Sequence, residues 1–326
     1  MNETSSSAAL VPSSAIQRRL FVVGCSRSGT TLLQRFLAGH PAVCTFPESG
    51  LFLRAFGMRG RRLPWTYFGL TLGKERKALG RLVRAAYVDD PAVAPPVPPR
   101  SFRLRTSVAA SVATLDRLAL ASGCRSWVEK TPRHFLHARV IERLVPRARV
   151  IHVVRDGRDV VASVCDRARR HPKQFRRQSD PRYAIGEWNR AIDAHIRCMG
   201  RPGHVFVFYE DLVADPAREL ERIAREVGLD FHPGMLEGAD PSTFVRTAEE
   251  WKESVSGPVR EARSKFRELF DAGKRRRIET ALDLARYGTL AERHRQRTGY
   301  DGVKSYPNVS MSGANDLATS SAVASE

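Results

Sequence analysis

The stretch LFVVGCSRSGTTLLQRFLAGHP, from Leu20 to Pro41, holds residues suited to anion chemistry. An apolar run ends at Gly24, small polar residues follow, and an amphipathic pattern begins at Thr30. A strand that turns into a helix in this way presents backbone N–H groups at the positive helix end, which is a cradle for a phosphate oxyanion. Gly24 and Gly29 are spaced as in GxxxxG, Thr30 and Thr31 add hydroxyl donors, and Arg27 stands between the glycines. A second stretch, VIHVVRDGRDVVASV, delivers Arg155 at the end of an apolar run, with Ser163 eight residues further on. That is about two helical turns, so the hydroxyl is placed to face the same anion as the guanidinium. An arginine there suits bidentate contact with a phosphate. In the blander alternative the glycine turn holds nothing, and Arg155 and Arg158 pair with Asp156 and Asp159 as a surface network.

In a nucleotide kinase a lysine follows the second glycine, and the next Ser or Thr holds magnesium. Here Thr30 takes the lysine position, and no apolar strand ends in an aspartate, since VIHVV runs into Arg155. A metal-dependent triphosphatase is therefore disfavoured, and no metal is expected. The five cysteines, Cys25, Cys44, Cys124, Cys165 and Cys198, form no CxxC pair. That pattern favours reduced thiols and a cytoplasmic location over a disulfide framework or a zinc site.

The net charge is +19 over 326 residues, which invites a nucleic-acid reading. The basic residues are 46 Arg and only 8 Lys, a bias that genome composition alone can produce. No zinc-ligand spacing, RNP-type aromatic strand or basic zipper accompanies them, so an anionic small ligand fits better and no nucleic-acid partner is expected. Two stretches are densely basic, 54–84 and 165–182. They read either as a funnel for an anionic glycan, lipid or acidic peptide, or as solvated helix faces. No apolar run approaches the 18 or more residues of a membrane span. The start, MNETSSSAALVPSSAIQRR, lacks the basic-then-apolar order of a signal peptide.

The elements that must position these residues follow from the rhythm of the chain. Strand signals at Leu20–Val23, SWVEK, VIHVV and HVFVFYEDL alternate with helical stretches, which argues for an α/β fold with a parallel sheet covered on both faces. In ADPARELERIAREVGL, Asp215 can cap the helix and Pro216 suits its first turn. Residues 1–16 and 304–326 read as disordered tails around one domain, 17–303, with a helical insertion at about 51–120.

The segments CSRSGTT, EKTP, VRDGRDVVAS and YEDLVADP, in that order, resemble the sulfotransferases that use 3′-phosphoadenosine 5′-phosphosulfate. The likeness runs from about Leu20 to Val227, and arginine in the loop is similar to the branch of tyrosylprotein and many bacterial sulfotransferases. The resemblance implies a P-loop-like three-layer fold and metal-independent sulfuryl transfer from the adenine nucleotide donor to an acceptor hydroxyl. It implies that Arg27 stands beside the transferring group, that Ser28, Gly29, Thr30 and Thr31 grip the 5′-phosphate, and that Arg155 and Ser163 hold the 3′-phosphate. It further implies Lys130 at the bridging oxygen, Lys265 closing over the nucleotide, and a glutamate base about twenty residues past the loop arginine. Glu48 has that spacing; the alternatives are that Glu48 caps the helix that follows and that Lys130 pairs with Glu129. His40 and His134 are reserve bases. His40 fits the helix-ending turn, and His134 follows the EKTP lysine closely enough to line an acceptor pocket. Ser254 or Ser256 offers a further hydroxyl. Two other readings stay open: a P-loop kinase, and a non-catalytic protein that binds nucleic acid or anionic lipid.

Overall fold

The computed structural model describes residues 15–57, 64–86, 97–240 and 265–299. Five strands form one parallel sheet in the order β2-β3-β1-β4-β5. They are β1 (Arg18–Gly24), β2 (Val43–Phe46), β3 (Ser126–Lys130), β4 (Ala148–Val154) and β5 (His204–Phe208). Their near-continuous apolar runs suit a sheet buried on both faces. Successive side chains point to opposite faces, and the core divides accordingly. Phe21, Val23, Trp127, Val154 and Phe206 enter the larger core, while Leu20, Val22, Val128, Val153 and Val205 enter the smaller one.

The smaller core is closed by Leu33, Phe36 and Leu37 of helix Thr30–Ala38 and by Leu220 and Ile223 of helix Pro216–Val227. Asp215 accepts from the Arg218 N–H at 3.2 Å and Pro216 opens the helix, as expected. On the other face lie the helices of the insertion, Leu51–Phe56, Glu75–Ala86 and Leu104–Ala121, together with Gly157–Arg170 and Pro181–Cys198. Ile16 is already buried in this core.

Three details differ from the sequence reading. Val43–Phe46 adds an edge strand too short to announce itself. HVFVFYEDL is strand only to Phe208, and Tyr209 opens a helix through Ala214. Cys44 and Cys124 are disulfide-bonded, with Cα atoms 5.8 Å apart, which corrects the expectation of five reduced thiols. The two are 80 residues apart in sequence and meet because β2 and β3 are neighbours, with Cys44 opposite Trp127. No short-range cysteine spacing could reveal such a pair. Cys25, Cys165 and Cys198 are buried free thiols.

Candidate active site

The register of the sheet decides which loops meet. Gly24 at the end of β1 lies opposite Val153 of β4, so the loops carrying Arg27 and Arg155 leave the sheet side by side. This is the carboxyl edge of an open parallel sheet, where such folds place their ligands. The first loop is tight, with the Ser28 N–H donating to the Cys25 carbonyl at 3.1 Å. Arg27 has φ 74°, a left-handed conformation uncommon for a residue with a side chain. Gly29 has φ 94°, and a Cβ there would lie 2.3 Å from the Tyr209 ring, so only glycine fits. No side chain caps the helix that starts at Thr30, which leaves its first-turn N–H groups directed at this loop.

Around that turn the cations gather. Arg27 Nε donates to Ser163 Oγ at 3.0 Å, and Arg155 donates to the Arg27 carbonyl at 3.2 Å. The Arg155 guanidinium also lies 4.1 Å above the Tyr209 ring, and Trp188 Nε1 holds the Arg155 carbonyl at 2.9 Å. Burial, with Arg167, Arg155 and Arg170 nearby, lowers Arg27 to about 10. Cations this crowded are in surplus over their local carboxylates, which is the electrostatic condition for holding an anion. The network alternative holds for Arg158, which pairs with Asp156 at 2.5 Å, but Arg155 is turned away from it. Lys265 meets Asp166 at 2.7 Å, on the same helix as Ser163 and one turn along. Nearby, Glu210 accepts from the Asp156 N–H at 3.0 Å, and burial pushes its carboxyl up to about 7.

The second half of the crevice comes from β2 and β3. Phe46 lies opposite Glu129, so the chain leaving β2 passes beside the end of β3 two residues later. There Lys130 Nζ donates to Glu48 Oε1 at 2.5 Å. Lys130 is buried, whereas the Glu48 side chain keeps 31% exposure. Glu48 does not cap the next helix, since Gly50 is its N-cap residue and Ser49 Oγ accepts from the Leu51 N–H at 3.2 Å. β3 lies beside β1, with Lys130 opposite Val22, so both halves of the crevice leave the same edge of the sheet.

Glu129 and His134 turn out to belong elsewhere. Glu129 is fully buried, accepts from Ser49 Oγ and Thr131 Oγ1, and sits 3.0 Å from His134 Nδ1. His134 Nε2 accepts from the Phe52 N–H at 3.2 Å, and the ring has no exposed surface. His134 therefore lines no acceptor pocket, contrary to the sequence reading, because the turn Pro132–His137 carries it inward. His40 Nδ1 accepts from the Ala42 N–H at 3.0 Å, which keeps it in the helix-ending turn. Ser254 and Ser256 lie outside the described residues. Sequence reasoning missed Tyr209 and the Glu129 cluster, and did not single out Arg167 within its basic run. Only the YEDL segment gave any signal for Tyr209.

One grouping of metal-ligand types stands apart from this crevice: His152, Cys198 and His204. His152 Nε2 and His204 Nδ1 are 2.8 Å apart, a hydrogen bond that leaves no place for an ion between them.

Comparison with known proteins agrees with this architecture. The family model described as "Sulfotransferase family" matches residues 19–233. Chicken (Gallus gallus) protein-tyrosine sulfotransferase 2 is 27% identical over 223 residues, covering 67% of this chain and 53% of that protein. Nodulation protein NoeE of Sinorhizobium fredii is 25% identical over 244 residues, covering 69% and 54%. The chain thus spans about half the length of these two relatives. Among solved structures, the sulfotransferase domain of the Synechococcus PCC 7002 olefin synthase superposes with a TM-score of 0.55 at 24% identity. That match covers 88% of this chain and 96% of the domain, and it bears out the expected α/β architecture. The chain belongs to the sulfotransferase family.

Proposed function

We propose that this enzyme moves a sulfuryl group from 3′-phosphoadenosine 5′-phosphosulfate to an acceptor hydroxyl. The observation that carries the reading is two half-sites at one edge of the sheet: Arg27 and Arg155 around an uncapped helix start, and the Lys130–Glu48 pair beside them. Ser28, Gly29, Thr30 and Thr31 suit the 5′-phosphate through backbone and hydroxyl donors, while Arg155 and Ser163 suit the 3′-phosphate, with Lys265 one turn beyond.

The acceptor oxygen attacks sulfur, a new O–S bond forms, and the bond from sulfur to the bridging phosphate oxygen breaks. The electron pair stays on the leaving phosphate, beside Arg27 and Lys130, whose fixed charges meet it without reorganisation. The acceptor proton passes to Glu48, whose partial exposure lets it move on to water. The hydroxyl belongs to a glycan, a lipid, a small molecule or a peptide.

The test is donor turnover with labelled sulfate over these acceptor classes in excess chelator. Transfer should proceed unchanged. A requirement for a divalent ion would favour a P-loop kinase, and salt-sensitive binding without turnover would favour a binding protein. Among the described residues no helix is long and apolar enough to cross a membrane. The cytoplasmic expectation rested on reduced thiols, and the Cys44–Cys124 bond weighs against a reducing compartment, where such bonds are rare.

A further inference from the structure

The basic stretch of the insertion takes no part in the crevice described above. Lys74, Lys77, Arg81, Arg100, Arg103 and Arg105 are all exposed. Among the described residues of 64–115, the single carboxylate is Glu75, and it is buried against Ser107 Oγ. Among the described residues these segments are therefore cationic, with no exposed acid of their own.

The same segments carry large apolar side chains in water. Phe68 is 82% exposed, Phe102 56% and Leu70 44%, with Tyr67 and Leu72 beside them in sequence. Two segments form this surface as a unit. Leu70 and Arg103 make an antiparallel bridge, the Thr71 N–H donates to the Phe102 carbonyl at 2.9 Å, and the Leu104 N–H donates to the Gly69 carbonyl at 2.7 Å. The Arg100 guanidinium lies 4.7 Å over the Phe102 ring. Exposed apolar side chains brought together on two paired segments, with Arg100 and Arg103 beside them, mark an interaction surface.

The shape and composition of the patch select the partner. Phe68 follows the short helix Pro64–Tyr67 and precedes Gly69 at φ 72°, so the patch is the tip of a turn and not a groove. A projecting apolar tip suits a deformable apolar phase better than a shaped protein pocket. Phe68 and Phe102 offer faces on which bases stack, but Leu70 and Leu72 do not, and a lipid boundary accommodates all four. Apolar side chains among cations are the arrangement by which proteins lie on an anionic membrane surface. We propose that this face of the insertion docks on an anionic lipid bilayer, with Phe68 and Phe102 entering the headgroup boundary and the surrounding cations meeting lipid phosphates. The proposal is independent of the donor and acceptor assignments.

The test is sedimentation of the full chain with vesicles of phosphatidylcholine, alone or containing phosphatidylserine, at low and raised salt. Binding should require phosphatidylserine and weaken as salt rises. The double variant F68S/F102S should bind on the order of tenfold more weakly, since it withdraws two apolar side chains from the boundary. It should leave turnover of a soluble acceptor unchanged, and both positions are too exposed for the change to threaten folding. R103Q should cost on the order of fivefold. Absence of binding to phosphatidylserine vesicles would overturn the proposal. So would binding indifferent to F68S/F102S, which would be the diffuse attraction of a +19 chain. Phe68-dependent binding of an RNA oligonucleotide, with vesicles left untouched, would replace the membrane with a polyanion.

Discussion

Glu129 and Lys130 are neighbours on β3, and strand alternation sends them to opposite faces with opposite consequences. Glu129 faces His134, Ser49 and Thr131 in a pocket with no exposure on either the carboxylate or the imidazole. Lys130 faces Glu48, which stays open to the crevice. Both are pairs of a carboxylate with a nitrogen base at 3.0 Å or less. A carboxylate sealed from solvent is framework, because no acceptor can reach it. One paired with a lysine and partly exposed is open to an incoming proton. The difference between the two regions lies in access, not in chemical type.

The sealed pair gives the largest expected effect on stability. Glu129→Ala removes the partner shared by His134, Ser49 and Thr131, and breaking a buried pair in this way costs about 3–5 kcal/mol. Urea denaturation reads it directly, and a loss below about 1 kcal/mol would show that the pocket is not framework. The same pair carries a pH signature. Burial alone would raise Glu129, but its contact with His134 and the hydrogen bonds from Ser49 and Thr131 outweigh it and hold the carboxyl below its ordinary value. A group depressed on folding contributes fully above its unfolded pKa and loses that contribution as pH falls through the folded one. Stability should therefore fall on acidification, and less steeply in Glu129→Gln.

On the open side the effects shift from stability to binding. Arg155→Ala withdraws a charge-assisted contact, so 3′,5′-bisphosphoadenosine should bind about 1.5–3 kcal/mol more weakly by calorimetry. Adenosine 5′-phosphate, without the 3′ group, should be little affected. Equal affinity of parent and variant for the bisphosphate would remove Arg155 from the site. Lys265→Ala is the smallest of these changes. Its bond to Asp166 is at the surface, and exposed pairs contribute about 0.2–1 kcal/mol, so the melting temperature should barely move.

The open region was also the more legible in sequence. Arg27, Arg155 and Lys130 stand at or just past strand ends, and apolar runs give those ends away. Glu48 stands out only through the sulfotransferase resemblance, which implies a glutamate at about that distance from Arg27. The sealed region was illegible because its meaning lies in direction. His134 follows EKTP closely enough to suggest the crevice, yet the turn Pro132–His137 rotates it into the core. Arg167 belongs to a densely basic helix, and nothing in that run separates it from its exposed neighbours. The Cys44–Cys124 bond depends on the pairing of β2 with β3, which sequence spacing does not encode.

The central claim is that Glu48 takes the acceptor proton and that His134 belongs to the framework. Turnover per folded molecule, measured side by side for Glu48→Gln and His134→Ala, tests it most directly. Glu48→Gln is nearly isosteric but cannot take the proton, so turnover should fall about 10²- to 10⁴-fold with the melting temperature nearly unchanged. His134→Ala should melt earlier, because it strands the buried Glu129, yet keep most of its turnover once the folded fraction is counted. Full activity in Glu48→Gln together with an inactive, well-folded His134→Ala would contradict the account and make the histidine the base.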